Sequence, residues 1–119
     1  MNQINLQPAL AAMDHDEDIL YAVVAAFTEE VPSLMNEFDQ GLAKSDQPVV
    51  ERTSHTLKGN FRILQLHELQ ILWANIETLA RNDQLAQIPA LIPEAKKITQ
   101  NVLKQLESAL ASRQGSPAI

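Results

Sequence analysis

The chain has 119 residues, a formal net charge of −6 and no cysteine. That length suits a single domain. The acidic balance and the lack of a basic patch argue against nucleic acid as a partner, and without cysteine there is neither disulfide nor thiolate chemistry. No run of about twenty apolar residues could span a membrane. The opening stretch, 1–10, is uncharged and interrupted by Asn2, Asn5 and Pro8, unlike a signal peptide. A cytoplasmic protein is expected. Ala, Leu, Ile, Val and Gln dominate while glycine is held to three residues, which favours helices over strands.

Taken in chain order, 4–13 can form a short helix with Leu6 and Leu10 on one side. Asp16 reads as an N-cap, and Glu17 and Asp18 suit the positive end of a helix dipole. Leu20, Val23, Val24, Phe27, Val31, Leu34, Met35, Phe38 and Leu42 follow in steps of three and four, one long amphipathic helix that Pro32 should kink or interrupt. Lys44, Ser45 and Asp46 form a turn, with Asp46 capping a third helix over 47–64 and Pro48 in its first turn. A fourth helix covers 66–80 and stops at Arg81, Asn82 and Asp83. The last covers 85–110, its start disturbed by Pro89 and Pro93. The expected architecture is all-α: an antiparallel four-helix bundle with a short extra N-terminal helix, one domain over 1–111. Gly115 and Pro117 lie in a tail, 112–119, expected to be disordered.

The informative stretch is Ser54, His55, Thr56, Leu57, Lys58, Gly59, Asn60, Phe61 and Arg62. At about 100° per residue, Val50, Leu57, Phe61 and Leu64 fall opposite His55, whereas Glu51, Arg52, Lys58, Gly59 and Arg62 fall within about 60° of it. His55 therefore sits on the polar face, with cations one and two turns away. A neutral imidazole can attack phosphorus and form a phosphohistidine. Lys58 could neutralise the added charge. Gly59, costing roughly 1 kcal/mol in a helix interior, clears space for a bulky partner. The plain alternative is a solvated helix face.

The run from Ser54 to Gly59 resembles the H-x-L-K-G signature of histidine-containing phosphotransfer (HPt) domains. Gly41, Leu42, Ala43 and Asp46 ahead of it, and the pattern of Phe27, Val31, Pro32 and Leu34, are also similar to that family. The resemblance covers about 14–110. It implies a bundle with an exposed mid-helix His55 that exchanges a phosphoryl group with aspartates of response-regulator receiver domains, with Lys58 neutralising phosphate and Gly59 giving access. In relatives a Gln or Glu on the following helix can orient the imidazole; Glu77 stands at such a position. The implied partners are receiver domains, a hybrid sensor histidine kinase, or both. The carrier would be a monomer with no bound cofactor, and Mg²⁺ would reside only in the receiver. No nucleotide-binding motif is present, so no autonomous kinase activity is expected. The chain departs from the family after Gly59: small residues are replaced by Phe61 and Arg62, and a turn glycine by Gln65. Phe61 and Arg62 are accordingly expected at the partner-docking surface. These departures also motivate an alternative function, a non-catalytic helical adaptor that binds receiver or kinase domains without transfer.

Other clusters read more simply. Asp14, His15, Asp16, Glu17 and Asp18 lack the spacing of a Ca²⁺ loop and suit a helix start. His67 and Glu68 read as a surface pair, with no second histidine at metal spacing. Trp73 and Phe38 read as core. Ser54 and His55, adjacent on a helix, point about 100° apart and form no nucleophile–base pair.

Overall fold

The computed structural model describes residues 3–115. Five α-helices follow in order: α1 (Gln7–Ala12), α2 (Glu17–Ala43), α3 (Gln47–Ile63), α4 (His67–Arg81) and α5 (Ile92–Gly115). No strand occurs among the described residues. The four long helices form the bundle, in an elongated body of 53 × 24 × 23 Å, and α1 packs on α2. α3 packs most extensively on α4, and α2 bridges α3 and α5.

The apolar stripes of the sequence become one core, including Val24, Phe27, Phe38, Val50, Leu57, Trp73, Ile76 and Leu106. Phe38 meets Trp73 edge to face at 5.2 Å between ring centroids, a favoured aromatic geometry. The Trp73 indole N–H donates to Thr99 Oγ1 at 3.1 Å, so this fully buried ring leaves no polar atom unpaired. Gly41 allows α2 and α3 to meet closely: a Cβ there would stand 2.7 Å from Val49 Cγ1.

The capping expectations hold. Asp16 accepts from Ile19 N–H at 3.1 Å and Asp46 from Val49 N–H at 3.4 Å. The C-termini of α2, α3 and α4 share one device. Ser45, Gln65 and Asp83 have φ of 51°, 59° and 57°. The next residue's N–H then reaches back five residues, Asp46 to Gly41 O, Leu66 to Phe61 O and Gln84 to Leu79 O, at 2.8–2.9 Å. This is the Schellman closure. A glycine would meet this φ without strain at the position of Gln65. A left-handed non-glycine residue costs roughly 1–2 kcal/mol, partly offset by the larger unfolded-state freedom of glycine. Gln65→Gly is expected to stabilise the fold by up to about 1 kcal/mol, read as a higher urea midpoint with an unchanged slope.

Of the kink or interruption expected at Pro32, the interruption is absent: α2 is continuous from Glu17 to Ala43. Pro32 lies on the exposed side, where water can serve the Thr28 carbonyl that loses its N–H partner. The segment before α5 is not α-helix: Leu85–Gln87 and Pro89–Leu91 are 3₁₀ turns, as the two prolines and the short Ile88 anchor allow. Finally, α5 reads through the start of the expected tail to Gly115. Arg113 is the physical reason. It donates to Glu17 O at 2.7 Å, pairs with Asp18 and lies 4.4 Å from the Tyr21 ring centre, tying the end of α5 to the start of α2. Residues 116–119 of that tail lie outside the described residues.

Candidate functional site

The outer face of α3 carries the site. Val50, Leu57 and Phe61 anchor the opposite side in the core, which fixes the helix rotation and turns His55 outward; its side chain is 65% exposed. The hydroxyls around it fold back onto the helix. Thr53 bonds Val49 O at 2.8 Å, Ser54 bonds Val50 O at 2.7 Å and Thr56 bonds Arg52 O at 3.0 Å. None of them competes for the imidazole, and the buried Ser54 hydroxyl is consumed by its own helix.

Antiparallel packing of α4 brings Glu77 beneath His55. Glu77 is only 3% exposed, yet its carboxylate receives three cationic or polar hydrogens. Oε2 lies 2.7 Å from His55 Nδ1 and 2.8 Å from Arg81 Nη2, and Oε1 lies 2.6 Å from Lys58 Nζ. Burial alone would raise the Glu77 pKa. The hydrogen bonds from Lys58 and His55, and their charges, outweigh it and hold the carboxyl below its usual value. Glu77 is thus ionised at neutral pH and can only accept, so Nδ1 of His55 carries the proton. In the neutral ring the lone pair then lies on Nε2, which has no hydrogen-bond partner among the described residues.

This arrangement has a pH signature. Because the folded pKa of Glu77 lies below its unfolded value, the unfolded chain binds more protons as the solution is acidified. The stability that Glu77 contributes is therefore present above about pH 5 and lost as pH falls through the lowered pKa. Glu77→Gln is expected to flatten the acid limb of stability against pH, measured by urea unfolding between pH 3 and 7.

The remaining residues of the motif fall as follows. Lys58 is three-quarters buried along its stem, with its ammonium on Glu77. At Gly59 a Cβ would meet nothing within 4 Å, so no packing requires a glycine there. Arg62 is exposed on the His55 side. Phe61 is a correction: at 1% exposure it belongs to the core, not to a docking surface. Its position opposite His55 on the helix dictates this. The apolar residue that does reach the surface there is Ile63, 49% exposed.

Two participants escape a reading of the helices one at a time. Arg81, taken as part of a helix stop, lies against Glu77 and also 3.6 Å from Glu51 of α3. Gln47 donates to Glu51 Oε1 and to Ala80 O, both at 2.8 Å, stitching the base of α3 to the end of α4. Gln47, Pro48, Glu51, Arg52, His55, Glu77 and Arg81 line one open groove. Arg52 leans the other way, pairing with Glu37 of α2 at 2.7 Å.

Comparison with known proteins places this geometry. The family model described as Hpt domain matches residues 22–113. Among curated proteins, the chain is similar to the phosphorelay intermediate protein rdeA of Dictyostelium discoideum, 28% identical over 89 residues. That alignment covers 75% of this chain and 34% of the relative, so the chain spans about a third of its length. No solved structure matches the chain. With most of its length inside the family match, and with His55, Lys58 and Gly59 on one helix face above Glu77, the chain belongs to the Hpt domain family.

Proposed function

We propose that the chain is the histidine phosphotransfer carrier of a two-component phosphorelay, taking a phosphoryl group on His55 from a receiver-domain aspartate and returning it to another. The observation that carries this reading is the exposed imidazole whose Nδ1 is tied to a buried carboxylate, with Nε2 unpartnered among the described residues. Nε2 attacks the phosphorus of an aspartyl phosphate in line. The N–P bond forms as the P–O bond to the aspartate breaks, and that electron pair leaves on the aspartate carboxylate. The Nδ1 proton stays in place, so the ring gains positive charge. Glu77, 2.7 Å from Nδ1, stabilises that charge as the buried carboxylate of a catalytic triad does. Lys58, one helical turn away, supplies a cation for the phosphoryl oxygens.

In this reading the partners are receiver domains and hybrid sensor kinases, and the protein is a monomeric, cytoplasmic carrier without a cofactor of its own. The Mg²⁺ that assists transfer belongs to the receiver. No helix among the described residues is long and apolar enough to cross a membrane.

The adaptor reading rests on the replacements after Gly59. It is separated by one experiment. The chain is incubated with phosphorylated receiver domains and assayed for an acid-labile, base-stable label, alongside receiver binding. Label on the wild type supports the carrier. Binding without label, unchanged by His55→Gln, supports the adaptor.

A further inference from the structure

Glu77 divides its two oxygens between two tasks. Oε2 holds His55 Nδ1 and Arg81, whereas Oε1 holds Lys58. Arg81 is itself pinned from a second side by Glu51 at 3.6 Å, and Glu51 is fixed in turn by Gln47. Among the described residues, Lys58 has Glu77 as its one ion-pair partner. The two cations therefore differ in freedom: Lys58 can leave without disturbing Oε2, and Arg81 is built to stay.

We propose that Arg81 is a positioning residue for phosphoryl transfer: it remains on Glu77 as the standing counter-charge, so that Lys58 can pass from the carboxylate to the phosphoryl group on His55 while the imidazole stays oriented. The proposal rests on His55 being the acceptor. Without Arg81, a carboxylate that is 3% exposed would have Lys58 as its remaining full cation before transfer. Moving Lys58 to the phosphoryl oxygens would leave that buried charge underpaired, which is costly. With Arg81 in place, one cation can follow the phosphoryl group and one can hold the carboxylate. The ring positive charge that develops on transfer adds to the second.

This differs from direct contact between Arg81 and the phosphoryl group, and a double-mutant cycle separates the two. Transfer rates from a phosphorylated receiver are measured for wild type, Arg81→Ala, Arg81→Lys, Glu77→Gln and Glu77→Gln with Arg81→Ala. Arg81 is half-exposed at the last residue of α4, so its replacement leaves the core intact. Arg81→Ala is expected to slow transfer about tenfold, the effect of one charge-assisted hydrogen bond. Arg81→Lys should recover most of it. In the Glu77→Gln background, where the carboxylate beneath His55 is gone and Arg81 keeps only the partly exposed Glu51, Arg81→Ala should leave the transfer rate unchanged. An equal loss in both backgrounds would show Arg81 acting on the phosphoryl group itself and overturn the proposal. No loss in either background would overturn it too. Absence of label on wild type would be a separate result, overturning the acceptor reading and this one with it.

Discussion

His55→Gln is expected to abolish phosphoryl uptake while leaving the protein folded. The glutamine amide nitrogen has no lone pair available to attack phosphorus, so loss of label should be complete. The fold should hardly notice. The His55 side chain is 65% exposed and, among the described residues, makes one tertiary hydrogen bond, to Glu77; a glutamine N–H can donate to the same carboxylate. With a hydrogen bond kept to Glu77, the loss of stability should be no more than about 1 kcal/mol. The urea midpoint and the label are read on the same preparation. Uptake at the wild-type level by a folded His55→Gln protein would place the acceptor elsewhere.

Gly59→Leu is expected to divide donors by size. A Cβ at this position meets nothing within 4 Å, so the folded chain accepts the larger residue and gains up to about 1 kcal/mol of helix propensity. Helical side chains lean toward the preceding turn, which carries the new side chain over His55. A receiver must bring its phosphoryl group within roughly 3–3.5 Å of Nε2 with the bonds in line, and a displacement of about 1 Å can cost on the order of 100-fold. Transfer from a receiver should fall by at least about that factor. Phosphoramidate, a donor small enough to pass the leucine, should still label His55. Equal rates from the receiver for wild type and Gly59→Leu would show that Gly59 has no part in access. Loss from both donors would show damage to the imidazole site instead.

Much of this was legible one helix at a time. Val24, Phe27, Val50, Leu57, Trp73 and Leu106 repeat with helical period, and all are core. Asp16 and Asp46 announce their helices because a short carboxylate before an apolar run has few other uses. The same wheel arithmetic set His55 outward and Phe61 inward, and for Phe61 it outweighs what the family pattern suggested about docking. What a single wheel cannot carry is the register between helices. Arg81 looks like part of a stop signal until α4 lies antiparallel to α3, where it meets both Glu77 and Glu51. Arg113 looks like tail until α5 reaches back to the start of α2. Glu77 could be named only by resemblance, because its depth is a property of the packed pair and not of α4 alone.

His55 is expected to carry the phosphoryl group on Nε2 while Glu77 holds the proton on Nδ1. Nitrogen and phosphorus NMR of the ¹⁵N-histidine-labelled chain, after incubation with a phosphorylated receiver, tests it directly. A phosphorus–nitrogen coupling is expected at Nε2 of His55, with Nδ1 protonated both before and after transfer. Coupling at Nδ1, or a receiver that loses its phosphoryl group with none appearing on His55, would contradict it.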